Sequence, residues 1–557
     1  MKKLLLTTFF VVTFFAITAV SASAVVNGMV KVGLRYADTA LYSANLENSI
    51  GSGYAFGYFD DQRNFQTIGS TQQTAISMTA AGDIFVDGSG NYSAEPTSES
   101  DTYLGAWHVQ LDGLETYEDA VSVAEQLSGY PAWIDWMYVV RIGSFATEEE
   151  ALSYAEALGG GTAVRSSSTG VLVTVTRTTQ ILFEFDCSGV VSLGILPDGL
   201  GEEAVTWFKG YKYPGGFEYP RITGGNLHVY NVVNLESYVK GVIPYEMNNQ
   251  WPLAALEAQA VCARTYASRS SKHLASYGFD MCNTTDCQVY FGYSGSSNAP
   301  NENTNAAVDN TAGLLIYHQG EMIQNAVYHA SNGGATENIE NVWGSTRAYL
   351  VGKEDPYEAM LEIPNYSWTV TYTADELTQI LREKPNSIKK DIGRVTNVYV
   401  SEYTPLGNVK KITFEGTNGT ATVSGETCRT IFYSSSLGKS VKSMRFTING
   451  DGPSDKSVYV NDSSTRLKEL DGVTVLSGSG VSVLSGESYT VLSSSGTTTV
   501  KGSGTSKPSS NNGVFVIEGK GSGHNLGMSQ RGARAMAEAG YTYEEILKFY
   551  YTDITIE

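Results

Sequence analysis

The sequence predicts an α+β protein carrying an inserted strand–helix unit, on three observations. Apolar residues recur at helical spacing across 235–267, while short alternating runs on either side have the period of strands. A strand–turn–helix pattern at 107–127 is repeated at 138–158. The chain has 557 residues, of which 42% are hydrophobic, enough for about three to four domains with cores of their own.

From the N-terminus, Met1-Lys2-Lys3 is basic, Leu4 to Val20 is apolar and uncharged, and Ala22-Ser23-Ala24 is a small-residue cleavage pattern. Residues 1–24 therefore read as a signal peptide, which predicts a secreted protein. Uncleaved, the same run is near spanning length and would anchor the chain in the membrane. The formal net charge of −21 argues against nucleic acid or anionic membrane as a partner, and leaves a mostly uncharged glycan open. Five cysteines are too few for a disulfide scaffold.

Met29 to Leu34 alternates as a strand, and the stretch from there to residue 99 is polar and rich in Gly, Ser and Tyr. In the repeat, Val109 and Leu111 alternate, as do Val140 and Ile142. Thr116 with Asp119, and Thr147 with Glu150, form capping boxes that open two helices. Ala120, Val123, Ala124 and Leu127 give one helical face; Ala151, Tyr154, Ala155 and Leu158 give its copy. Two such copies suggest a βαββαβ unit over 100–165. Order and aromatic strand residues resemble a SPOR domain, a family that binds peptidoglycan glycan strands stripped of their peptides. The resemblance implies a ferredoxin-like fold and sugar stacking by Trp107, Trp136, Tyr138 and Phe145, with Trp133 a further aromatic; the plain alternative is that half of these rings fill the core.

Strands resume at Val171–Val175, Ile181–Phe185 and Leu227–Val233. Asn234 is a candidate N-cap, and Leu235, Tyr238, Val239 and Val242 form one apolar helical face. Gly241 and Pro244 are expected to break that helix, placing Glu246 on a turn. Trp251-Pro252 opens a second, alanine-rich helix in which Cys262 reads as a small buried hydrophobe. A carboxyl among Ile243, Pro244, Tyr245 and Met247 suits a general acid of raised pKa, although most glutamates are solvated surface charges.

Resemblance sharpens this reading. Gly241-Val242-Ile243-Pro244-Tyr245-Glu246-Met247, Trp251-Pro252, Glu257-Ala258-Gln259-Ala260-Val261 and Ala263-Arg264-Thr265-Tyr266-Ala267 resemble the central signature of the SpoIID/LytB family of cell-wall proteins. Asp286 to Gly292, Tyr328 to Glu337 followed by Val342-Trp343-Gly344, and Gly521 to Ala533 match it in the same order. The resemblance implies a lytic transglycosylase with Glu246 as catalytic residue. It implies substrate contacts from Gln259, Arg264, Gln288, Tyr290, Ser331, Gly333, Trp343, His524, Ser529 and Gln530. Glutamine and serine suit sugar hydroxyls and N-acetyl amides, Tyr290 and Trp343 offer stacking faces, and glycine admits close approach of a ligand. The implied partners are peptidoglycan glycan strands and a cell-wall amidase that strips their peptides. The family usually has Gly and Val where this chain has Asn525 and Leu526, which predicts a loop of different shape.

The expected organisation is 25–99 and 166–450 as parts of a SpoIID-like domain around the SPOR-like unit, a Ser/Gly/Thr-rich β insertion at 451–512, and a return to the SpoIID-like domain at 513–557. Within the insertion, strands are expected at Val473–Ser477, Val481–Ser485 and Tyr489–Ser493, then a flexible stretch to Asn512. No cofactor is required by this chemistry. Cys282 and Cys287 are expected to form a disulfide, the simpler reading outside the cell. The alternative is zinc, since some family members place Cys and His ligands here; His273, Cys282, Asp286 and Cys287 would then be the ligands.

Overall fold

The computed structural model describes residues 25–269, 271–293, 299–388, 390–450 and 513–557, with strand segments between 458 and 501. The 1–24 leader and residues 502–512 lie outside the described residues.

Helices and strands are mixed, as α+β requires. Among the described residues one sheet has seven strands, in the order Met281–Cys282, Met29–Arg35, Val229–Asn234, Gly216–Tyr219, Leu193–Pro197, Tyr54–Phe59, Phe65–Thr71. A second sheet has ten, beginning at Thr162–Arg165 and ending at Tyr211–Pro214. Helices α1 (Tyr117–Leu127) and α2 (Glu148–Leu158) start where expected, with Thr116 accepting from the Asp119 N–H and Thr147 from the Glu150 N–H. The repeat's strands lie side by side as Thr162–Arg165, Trp107–Leu114, Met137–Phe145, Gly129–Ile134, each antiparallel to its neighbour. Val109, Val140, Ile142 and the alanines of α1 and α2 form their own small core.

The repeat does not stand apart from the rest of the chain. Gly129–Ile134 pairs in parallel with Ile181–Asp186, so the ten-stranded sheet runs through both. On the face away from α1 and α2, Arg141 and Glu184 form a buried ion pair, with His108, Tyr130 and Ser166 bonded around it. The aromatic residues expected to stack on sugars divide. Tyr138 donates to the Ile68 carbonyl and packs against Trp133, and Phe145 packs against Tyr154. Trp107 is half-buried. Trp136 alone of the four is open, 47% exposed on a turn where its φ is +69°.

Helix α3 (Leu235–Glu246) and helix α4 (Leu253–Ala267) pack on each other inside the main core. Contrary to expectation, α3 runs through Gly241 and Pro244 and ends on Glu246. Burial of Val242, Ile243 and Pro244 offsets the hydrogen bond that proline cannot make. Gly241 is needed for space: a Cβ there would stand 2.6 Å from the Tyr290 ring. α4 is buried almost all round, and its alanines let helices Glu302–Asn310, Gln530–Glu538 and Tyr543–Tyr550 approach it. Cys262 is buried in it as expected.

A second core lies between helix Ala374–Glu383, the sheet Ser367–Thr373, Val514–Lys520, Phe446–Ile448, and the sheet Val395–Tyr403, Val409–Gly416, Gly419–Ser424. Between them the chain leaves through 451–512, whose described strands pair as hairpins: Thr474–Ser477 with Gly480–Val483, and Ser488–Ser493 with Gly496–Lys501. Among the described residues no helix is long and apolar enough to cross a membrane.

Candidate active site

Asn234 caps α3 by accepting from the Glu236 N–H, 2.9 Å, and at its other end the helix presents Glu246. The residue is partly exposed while its carboxyl is sheltered. The Val289 N–H donates to Oε1 at 3.2 Å, and the Tyr328 and Gln530 side chains also hydrogen-bond to the carboxyl. Burial holds its pKa above the usual glutamate range, and the three donors pull it part of the way back. Such a carboxyl keeps its proton to higher pH and still has donors ready for the anion.

Tyr328 is held for this contact. Its oxygen accepts from Gln288 Nε2 at 3.1 Å, which leaves its own hydrogen for Glu246. Gln288 is fixed in turn by the Tyr238 hydroxyl at 3.0 Å and the Ala263 carbonyl at 3.4 Å. Burial pushes the Tyr328 phenol far above its ordinary pKa, so it remains a donor. Gln530 begins its helix beside Ser529, and its Nε2 donates to Gln259 Oε1 at 3.4 Å. The fold joins these pieces by parallel pairing of Tyr328-His329 with Met528-Ser529. Gln259, Gln288 and Gln530 thus gather around Glu246.

The other expected contacts are spent differently. Arg264 is fully buried and pairs bidentately with Glu236, at 2.8 and 2.6 Å. Tyr290 is also fully buried, donating to Asn231 Oδ1 at 2.8 Å, and its ring packs on Tyr238 rather than facing a cleft. Ser331, the Gly333 N–H and Ser529 all donate to the buried carboxylate of Glu358, at 2.8, 3.0 and 2.5 Å. Gly333 has φ +72°, and a Cβ there would come within 2.7 Å of the Lys520 carbonyl. His524 accepts from the Leu526 N–H through Nδ1, at 3.0 Å, and burial holds its pKa down to about 3. It lies between His329 and Trp343, with ring centroids 5.5 and 5.2 Å away. Trp343 is 39% exposed and donates through Nε1 to Glu426. Asn525 has φ +63°, the left-handed conformation that glycine and asparagine tolerate.

Sequence reasoning missed Tyr328 and Glu358 as site residues. Tyr328 stands inside a quoted motif, and strand alternation against His329 was the available signal. Glu358 lies outside every motif, and nothing local marks it.

Ahead of Gln288, four donor side chains converge. His273 Nε2 lies 3.3 Å from Cys287 Sγ and 3.5 Å from Asp286 Oδ2, and the ligand atoms of His273, Cys282, Asp286 and Cys287 all fall within 4.8 Å of one another. Cys282 and Cys287 are free thiols, which departs from the expected disulfide. Hydrogen bonding from Cys287 holds the Cys282 thiol well below its usual range. Two sulfurs, an imidazole and a carboxylate are a donor set that fits tetrahedral zinc.

Residues 223–318 match the family described as Stage II sporulation protein, SpoIID. The amidase enhancer of Bacillus subtilis (strain 168) is 34% identical over 329 residues, 57% of this chain and 40% of that protein. An uncharacterized protein of Brachyspira hyodysenteriae (strain ATCC 49526 / WA1) is 29% identical over 370 residues, 66% of this chain and 78% of that one. Stage II sporulation protein D of Bacillus subtilis (strain 168) is 25% identical over 330 residues, 57% and 73% of the two chains. The chain therefore spans less than half of the amidase enhancer.

Proposed function

Because the chain belongs to the SpoIID/LytB family, we propose that it is a peptidoglycan lytic transglycosylase acting on denuded glycan strands. The observation that carries this reading is the sheltered Glu246 carboxyl, with raised pKa and three hydrogen-bond donors. A hydrolytic glycosidase ordinarily pairs its acid with a second carboxylate. Among the described residues, the partners that hydrogen-bond to the Glu246 carboxyl are a backbone N–H, a tyrosine and a glutamine. One carboxyl suffices when the nucleophile belongs to the substrate.

Glu246 protonates the oxygen that bridges N-acetylmuramic acid C1 to N-acetylglucosamine, and the C1–O bond breaks. The C6 hydroxyl of the same muramic residue closes on C1, and its proton passes to Glu246. No water is consumed, a 1,6-anhydro end forms, and the carboxyl is reset. Tethering of the C6 hydroxyl near C1 removes most of the entropy cost of attack. Between the two proton transfers, Tyr328, Gln530 and the Val289 N–H stabilise the carboxylate.

The 100–165 unit, read as SPOR-like, would select the same denuded strands, with Trp136 as its open ring. Residues 1–24, read from the sequence as a signal peptide, would put this work outside the cytoplasmic membrane. Zinc, held by His273, Cys282, Asp286 and Cys287, would supply structure only, fixing the loop that ends at Gln288 and Val289. Mass spectrometry of products from denuded strands tests the reaction. Anhydro ends from the wild type and none from Glu246→Gln are expected; hydrolysed reducing ends would overturn the mechanism.

A second reading is favoured by the relative named for amidase enhancement. There the protein binds glycan without cutting it and stimulates an amidase. Stimulation that survives Glu246→Gln, with no cleavage by the wild type, would select this reading.

A further inference from the structure

A cavity of about 640 Å³ opens beside the second core, lined by Lys384, Arg429 and Lys442 together with Tyr433, Ser440 and Ser522. Among the described residues no Asp or Glu lines it. In a chain of net charge −21, three cations around a cavity without a carboxylate form a local exception. Arg429 is part-neutralised from outside by Glu426, while its Nε is buried without a hydrogen-bond partner among the described residues. Lys384 donates to the Thr430 and Ile431 carbonyls at 2.8 and 3.3 Å, lies 5.4 Å over the Tyr433 ring, and has Glu383 beside it in the chain. Lys442 is exposed and has no ion pair among the described residues.

The cavity is joined to the site around Glu246 by its own wall. Ser522 belongs to the loop that carries His524, and the Gly523 N–H donates to the Lys442 carbonyl at 2.8 Å. Contacts lead from Glu246 to Tyr328, then through the neighbouring His329 to His524 and Trp343, then through Glu426 to Arg429. Trp343, 39% exposed, stands between Glu246 and the cavity along this series of contacts.

We infer that the Lys384–Arg429–Lys442 cavity is a distal subsite for a carboxylate on the glycan strand, namely the lactyl carboxylate of a muramic residue several sugars from the cut. This rests on the proposed action on glycan. In a peptide-bearing strand that carboxyl is tied up in a neutral amide, and only amide hydrolysis frees it as an anion. The subsite therefore reads the product of the reaction that must come first, and gives a charge-based reason for acting on denuded strands.

The test uses full-length Glu246→Gln protein, which holds strands without cutting them. Its binding to denuded strands is compared with binding to the same strands after their carboxylates are converted to primary amides. A loss of about two- to fivefold on amidation is expected, the size of a partly exposed charge contact. Adding Lys442→Gln, at an exposed side chain whose loss leaves the fold intact, should cause a similar loss on denuded strands and little further loss on amidated ones. Equal affinity for both strands, or an unchanged amidation effect in the Lys442→Gln protein, overturns the subsite and leaves the glycan reading standing. No binding of either strand overturns both. Tighter binding of polyglycerol phosphate than of denuded strands, sensitive to Lys442→Gln, would give the cavity to phosphate and overturn the carboxylate assignment.

Discussion

Glu246 has a folded pKa raised above its unfolded value, so ionising it works against the fold. The stability it contributes is fully present below the unfolded value, near 4.5, and is lost as pH rises through the folded pKa. Glu246→Gln should then melt with the wild type at acid pH and above it at pH 7, while losing cleavage; thermal melts across that range measure the gap. A variant less stable at pH 7 than at pH 4, relative to wild type, would contradict the sheltered carboxyl. Tyr328→Phe removes a donor to the carboxylate, so the Glu246 pKa should climb further. The alkaline limb of the pH–rate profile should move up, and kcat should fall by about tenfold or more, as for loss of a hydrogen bond to a charged group. At this scale the sequence is half legible. Glu246 and Gln530 stand in motifs and do meet. Ser331 and Ser529 stand in motifs too, yet their hydroxyls serve Glu358. Only the three-dimensional path of residue 358 assigns them that task, and no local pattern encodes it.

The segment from His273 to Cys287 is short, and its four donor side chains sit at one point. Purified protein is expected to carry about one zinc per chain by elemental analysis. Chelator should release it, lower Tm, and make Cys282 and Cys287 alkylatable; a metal-free protein weakened by reductant alone would restore the disulfide. In α3, Gly241→Ala would drive a methyl against Tyr290, and overpacking of this kind costs about 1–3 kcal/mol, readable by chemical denaturation. Elements whose signals are local were legible: Thr116, Thr147 and Thr542 cap the helices expected of them, and the repeat forms its strands and helices in order. The end of α3 was not legible, because glycine and proline signal a break only where packing does not overrule them. Gly241 answers to a ring from residue 290, which lies outside any helical window.

Across the whole molecule, the repeat and the main body share one sheet and one buried charge pair. Arg141→Met leaves buried Glu184 with its Tyr130 and Ser166 hydrogen bonds but without its counter-charge, which should cost about 3–5 kcal/mol, and Glu184→Met added to it should recover much of the loss. Both variants should unfold in one transition spanning the repeat and its neighbours, followed by fluorescence and circular dichroism together. Sheet partners this distant cannot be read from periodicity, since pairing of residues 129–134 with 181–186 leaves no mark in either run. The same long reach governs the site. Gln259 and Gln530 touch across 271 positions, and Tyr328 has no strand partner until Met528 and Ser529 are present. A chain made from its N-terminus at about 5–20 residues per second waits on the order of 15–50 s between these two halves. Throughout that interval Glu246 stands at the end of its helix without Gln530 and without a paired Tyr328. A nascent or truncated chain ending before residue 528 therefore carries Glu246 without the strand and the glutamine that complete its surroundings.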